Sequence, residues 1–109
     1  MTNRDQKLKD VIKEVAADFL QRESNYTSLV TVTDVSLSEK GNRATIFFTV
    51  LPEDKEEQVL DFTKRKRAPF REYFKDKVRM RSLPFFDFEI DKGEKNRQKI
   101  DEIARDVIE

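Results

Sequence analysis

No cysteine, histidine or tryptophan occurs in the 109-residue chain, and each gap closes a class of chemistry. Without thiols or imidazoles there are no disulfides, no zinc sites built on those ligands, no cysteine nucleophiles and no Ser-His triads. Carboxylates, amines, guanidinium groups, phenols and hydroxyls are what remains for catalysis. Two glycines and three prolines are too few for a collagen-like or linker-rich chain. No apolar run reaches the roughly 18 residues needed to span a bilayer. The opening Met1-Thr2-Asn3-Arg4-Asp5 is too polar for the core of a signal peptide. With no cysteine for an oxidising compartment, the expectation is a cytoplasmic protein.

What is present is a folding composition: 37% apolar residues, among them nine phenylalanines. At about 150 residues per domain, the length predicts a single domain over 1–109. Twenty-two basic and 22 acidic side chains cancel, so bulk charge gives no reason to bind a polyanion. The distribution does. Lys64, Arg65, Lys66, Arg67, Arg71, Lys75, Lys77, Arg79 and Arg81 face only Glu72 and Asp76 within their segment, a local excess of seven positive charges. Much of the compensating acid lies just upstream in Glu53, Asp54, Glu56, Glu57 and Asp61. The chain is polarised rather than neutral.

Apolar periodicity lays out the elements. Leu8, Val11, Ile12, Val15, Phe19 and Leu20 mark one face of a helix over roughly 4–22, with Asn3 and Gln6 resembling a capping box. From Leu29 to Ser38 the alternation changes phase, Val30 and Val32 on one parity and Val35 and Leu37 on the other, which predicts a bulge around Thr33-Asp34. After a turn at Ser38–Asn42, Ala44, Ile46, Phe48 and Val50 alternate inward on a second strand, completing an antiparallel hairpin. Beyond Pro52, acid in the first turn opens a second helix whose apolar row is Val59, Leu60, Phe62, Phe70, Phe74 and Val78. Pro69 deletes the amide that would bond the Arg65 carbonyl, so a kink or break is expected near Ala68. Phe86, Phe88 and Ile90 line one side of a third strand and Asp87, Glu89 and Asp91 the other, expected to be solvated. Ile100, Ile103, Ala104, Val107 and Ile108 mark a last helix. The expected class is α+β: a three-stranded sheet with helices on one face, a kinked central helix and an extra C-terminal helix.

The candidate functional feature is the basic segment. Four consecutive cations, Lys64 to Arg67, surround a helix and cannot all find partners one turn away. Lys64, Arg67, Arg71 and Lys75 continue at helical spacing as a row that could track phosphates. The alternative is a solvated helix face paired internally with Glu56, Glu57, Asp61 or Glu72. Phe70, Phe74, Phe86 and Phe88 read as core rather than stacking platforms, and Phe85 and Tyr73 as partly buried. Asp87, Glu89 and Asp91 have no metal-binding signature around them, and no glycine-rich phosphate loop occurs, so neither a metal, a cofactor nor an enzyme is expected.

The stretch Val30-Thr31-Val32-Thr33-Asp34-Val35-Ser36-Leu37-Ser38, the turn, and Arg43-Ala44-Thr45-Ile46-Phe47-Phe48-Thr49-Val50 resemble the hairpin of the ribosome-binding factor A family. Arg71, Arg79, Arg81, Leu83, Pro84, Phe86, Phe88 and Asp91 are similar to its second block, a basic helix followed by R-x-R-x-[VI]-P-x-[LI]-x-F-x-x-D, and Gln21-Arg22-Glu23 also fits. The resemblance implies a KH-like fold of the second type and a non-catalytic factor that binds small-subunit ribosomal RNA and the immature small subunit. It further implies a role in late maturation, ribosomal RNA processing and growth at low temperature. Under it the contact residues are Lys64, Arg65, Lys66, Arg67, Arg71, Lys75, Arg79 and Arg81, with Arg4 and Lys7 in place of the family's arginine-rich N-terminus. No membrane is implied, and the factor is expected to be a monomer off the ribosome. The family's usual Ala-x-Gly at the kink reads Lys66-Arg67-Ala68 here, and its Asp-Pro-Arg loop is shortened to Asn25-Tyr26-Thr27-Ser28. The competing reading is a protein-interaction adaptor whose basic helix docks an acidic partner.

Overall fold

The computed structural model describes residues 3–23 and 28–93; the C-terminal helix expected from Ile100 onward lies outside them. Helix α1 spans Asn3–Glu23, strands β1 and β2 span Leu29–Leu37 and Arg43–Leu51, a 3-10 turn covers Glu53–Lys55, helices α2 and α3 span Glu56–Arg65 and Arg67–Lys77, and strand β3 spans Phe85–Ile90. The sheet order is β1-β2-β3, with β1 antiparallel to β2 and β3 parallel to β2. The α+β class is as the periodicity predicts.

The hairpin register slips between Val32 and Asp34, so Thr33 is the extra residue, and the slip lets Val32 and Val35 both reach the core. A phase change in side-chain parity costs a strand one inserted residue, which is what a bulge supplies. Gly41 turns the hairpin at φ +69, where an L side chain is strained, and its amide donates to the Ser38 carbonyl at 2.8 Å.

Ala44, Ile46, Phe48 and Val50 of β2 and Phe86 and Phe88 of β3 are buried together with Ile12, Ala16, Phe19 and Leu20 of α1 and Phe70 and Phe74 of α3. Phe70 sits at the junction, its ring centroid 5.3 Å from Phe19, 5.0 Å from Phe86 and 5.5 Å from Phe88. These edge-on pairs are the geometry aromatic quadrupoles favour. One residue thereby joins α1, α3 and β3.

Where a kink or break near Ala68 is expected in the central helix, a break is found, two helices separated at Lys66 (φ −94, ψ 9). The Lys66 amide is shared between the Phe62 and Thr63 carbonyls, both at 3.1 Å, and α3 begins with the Phe70 amide donating to the Lys66 carbonyl at 2.8 Å. Pro69 therefore lies in the first turn of α3, where an amide has no helical partner to lose. The local rule marks the right neighbourhood; the break falls upstream because proline starts a helix more readily than it interrupts one.

Candidate functional site

Asp87 is the centre of the charged architecture. β3 is an edge strand, and Phe85 and Asp91 donate their amides to the Asn42 and Phe48 carbonyls. In a parallel ladder alternate residues face the neighbour, so the Phe88 amide falls on the open edge. The Asp87 Oδ1 accepts it at 2.9 Å. The same oxygen accepts from Lys64 Nζ at 2.7 Å and Arg67 Nη1 at 3.4 Å, while Oδ2 accepts from Arg43 Nη2 at 3.5 Å. Lys64 Nζ also reaches Glu89 Oε1 at 2.7 Å. The residue expected on a solvated face is instead only 6% exposed, because the end of α2, the start of α3 and the start of β2 close three cations over it.

The electrostatics follow from that packing. Burial opposes charge on Asp87, but the hydrogen bonds from Lys64 and the Phe88 amide and the nearby charges of Lys64 and Arg67 outweigh it, so the carboxyl lies below its ordinary range and is ionised. Burial likewise opposes the Lys64 ammonium, and its bonds to Asp87 and Glu89 more than compensate, raising its pKa above the usual lysine value. Three cations surround two carboxylates, leaving the cluster with one net positive charge.

The consecutive cations radiate because the helix breaks among them. Arg67 turns back so that Nε donates to the Lys64 carbonyl at 3.0 Å, satisfying one of the last acceptors of α2. Lys66 points to α1, with Nζ 3.8 Å from Glu23 Oε2 and 5.6 Å from the Phe62 ring centroid. Arg65 is exposed. The ionic partners lie on β3 and α1 rather than on the helix neighbours Asp61 and Glu72. Arg71, exposed on α3, uses Nη1 to bind the Pro84 carbonyl at 3.1 Å, so Lys64, Arg67 and Arg71 are brought together alongside β3 and the approach to it. Lys75 is exposed on α3, and Arg79 and Arg81 are exposed in the connection to β3. Among the described residues Arg65, Lys75, Arg79 and Arg81 have no ionic partner. Lys7 is exposed on α1, and Arg4 lies in the first turn of α1 with its side chain outside what the structure describes.

Two residues escape the sequence reading of the site. Arg43 lies outside the basic segment and belongs to the cluster only because β2 and β3 pair in register, Arg43 opposite Phe85. Phe85, expected to be partly buried, is 51% exposed; the guanidinium carbons of Arg43 and Arg67 lie 5.6 and 5.8 Å from its ring centroid. The period-two pattern of β3 places Phe85 off the core parity, which is the available signal. Tyr73 is half-buried between α1 and α3, donating to Asp18 and accepting from Arg22 Nη1 at 3.3 Å.

Among the described residues no group of acidic side chains is arranged to hold a metal ion, and no helix is long and apolar enough to cross a membrane. The arrangement offers guanidinium groups, which present planar paired donors to phosphate or carboxylate. Residues 4–104 match the family described as ribosome-binding factor A. Ribosome-binding factor A of Thermodesulfovibrio yellowstonii is 26% identical over 106 residues, covering 95% of this chain and 90% of that one. The crystal structure of ribosome-binding factor A from Thermus thermophilus superposes with a TM-score of 0.69 at 27% identity, covering 78% of this chain and 93% of that one. A homology model of the Thermus thermophilus factor, fitted into an electron cryo-microscopy map of its complex with the 30S subunit, gives 0.64 at 28% identity, covering 72% and 86%. A match running through all six helices and strands, joined to a fold shared with a solved relative, settles the kinship: the chain belongs to the ribosome-binding factor A family.

Proposed function

We propose that the chain is a non-catalytic assembly factor that binds RNA of the immature small ribosomal subunit, in the cytoplasm and as a monomer when off the ribosome, during late maturation and RNA processing. The observation that carries this reading is the relative of the same fold fitted into a complex with the 30S subunit. The exposed cations of this chain support it. The element order helix-strand-strand-helix-helix-strand, with one parallel and one antiparallel strand pair, supports a KH-like domain of the second type.

KH domains hold the nucleic-acid backbone with a GXXG loop. This chain has only Gly41 and Gly93, so the α2–α3 junction has no glycine for close backbone approach. Its grip on phosphate passes to side chains. Arg65, Arg71, Lys75, Arg79, Arg81 and Lys7 carry the charge that meets RNA, Arg4 extends it at the N-terminus, Lys66 and Arg67 divide their donors between the fold and the ligand, and the Lys64 ammonium is taken up by Asp87 and Glu89.

The test is sedimentation of the purified protein with small subunits from growing cells. Association with immature subunits in preference to mature ones is the expected result. Retention instead by an acidic protein with no RNA dependence would replace this reading with the adaptor one.

A further inference from the structure

We propose that Phe85, with the guanidinium groups of Arg43 and Arg67 beside its half-exposed ring, is a stacking site for one unpaired nucleobase of RNA. The inference rests on the RNA-binding reading and adds a site to it. A single exposed apolar side chain is ordinary on a protein surface. This one differs in what surrounds it. Its backbone is fixed, since its amide donates to the Asn42 carbonyl at 2.9 Å and it stands opposite Arg43 in the parallel ladder.

Both guanidinium groups within 6 Å of the ring are tethered to the same buried carboxylate, Arg43 through Asp87 Oδ2 and Arg67 through Oδ1. Arg67 is anchored a second time on the Lys64 carbonyl. Much of the rotamer entropy of two long side chains is thus spent in folding rather than in binding. Each guanidinium has about five N–H donors, and these contacts leave most of them available to phosphates. The Arg43 side chain remains 59% exposed and that of Arg67 41%.

A half-exposed ring and two tethered guanidinium groups form a surface on which an unpaired base stacks, with cations beside it for the flanking phosphates. A bare polyanion or an acidic peptide would use the arginines and leave the ring idle. A duplex, whose bases are already stacked on each other, would do the same.

Affinity is measured for the wild type and for Phe85→Ala, Phe85→Tyr and Arg43→Gln against three probes: a mixed-sequence single-stranded RNA oligonucleotide, a duplex RNA and inorganic polyphosphate. Phe85→Ala is expected to lose about 5- to 150-fold on the single strand, the range for one stacked base, and less than about twofold on duplex and polyphosphate. Phe85→Tyr keeps the π-face and should stay within about twofold of wild type on the single strand, while Arg43→Gln weakens all three probes. An unchanged single-strand affinity for Phe85→Ala overturns the stacking site and leaves RNA binding standing. Equal losses on RNA and polyphosphate overturn it too, by making Phe85 a support for the arginines. A wild type that binds neither RNA probe overturns the RNA reading itself.

Discussion

Two populations of cations arise from one part of the molecule and meet opposite fates. Lys64 and Arg67 are drawn onto Asp87 and Glu89 of β3, joined there by Arg43. Arg65, Lys75, Arg79 and Arg81 have no ionic partner among the described residues and stand in solvent. The tethered set closes over the edge of the sheet, holds in place the Asp87 carboxylate that accepts the Phe88 amide, and through Arg67 satisfies the end of α2. The free set carries uncompensated charge and little structure. A basic segment is therefore not one functional unit, and sequence-counted charge overstates what a ligand meets.

The comparison can be scaled against the hydrophobic core. Phe74 is fully buried against Phe70 and Phe86, at 6.1 and 4.9 Å between ring centroids, and Phe74→Ala should destabilise the fold by about 3–5 kcal/mol through the cavity left behind, read from denaturant unfolding. Asp87→Asn should come next. Removing the charge leaves Lys64, Arg67 and Arg43 crowded together, and we expect a loss of about 2 kcal/mol, below the usual cost of breaking a buried pair because Lys64 and Arg43 reach solvent. An Asp87→Asn protein as stable as wild type would show that the tethered set does not hold the structure.

The pH dependence separates the same groups. Asp87 titrates below its ordinary value, so its stabilisation is fully present above about pH 4 and is lost as pH falls through the depressed pKa. Lys64 titrates above its ordinary value, so its stabilisation holds below about pH 10 and is lost as pH rises through the raised pKa. Thermal melts should show no pH dependence from this cluster between about pH 5 and 9, with an acid limb that Asp87→Asn flattens. The smallest effect on stability is expected of the free set: Arg79→Glu with Arg81→Glu should shift stability by less than about 0.5 kcal/mol while sharply weakening RNA binding. The equivalent reversal at Arg67 would place a carboxylate beside buried Asp87 and should damage fold and binding together.

Much of the fold is legible in the chain because it is local. The parity switch from Val30 and Val32 to Val35 and Leu37 reports the bulge at Thr33, and the alternation of Ala44, Ile46, Phe48 and Val50 reports the buried face of β2 directly. Asp87 is not legible in this way. Its position in a period-two strand gives the side of the sheet it leaves from, whereas its burial depends on α2 ending beside β3, more than twenty residues away in sequence. The same distance hides the partners of Lys64 and Arg67, since helical spacing reveals only neighbours one turn along. Arg43 is invisible as a member of the cluster until β2 and β3 are paired. Pro69 is readable as a breaker, but the break at Lys66 depends on which carbonyls the next helix can still supply.

The division of the cations is tested most directly by the salt dependence of affinity for a small-subunit RNA fragment. Each phosphate contact contributes about 0.7–0.9 to the slope of log affinity against log salt, so about four contacts give the wild type a slope near −3 to −4. Arg79→Gln with Arg81→Gln should reduce its magnitude by roughly 1.4–1.8, and Lys64→Gln should leave it unchanged. A Lys64→Gln protein that loses as much slope per charge as the Arg79 and Arg81 pair would contradict the account, because its ammonium would then be neutralising phosphate rather than Asp87 and Glu89.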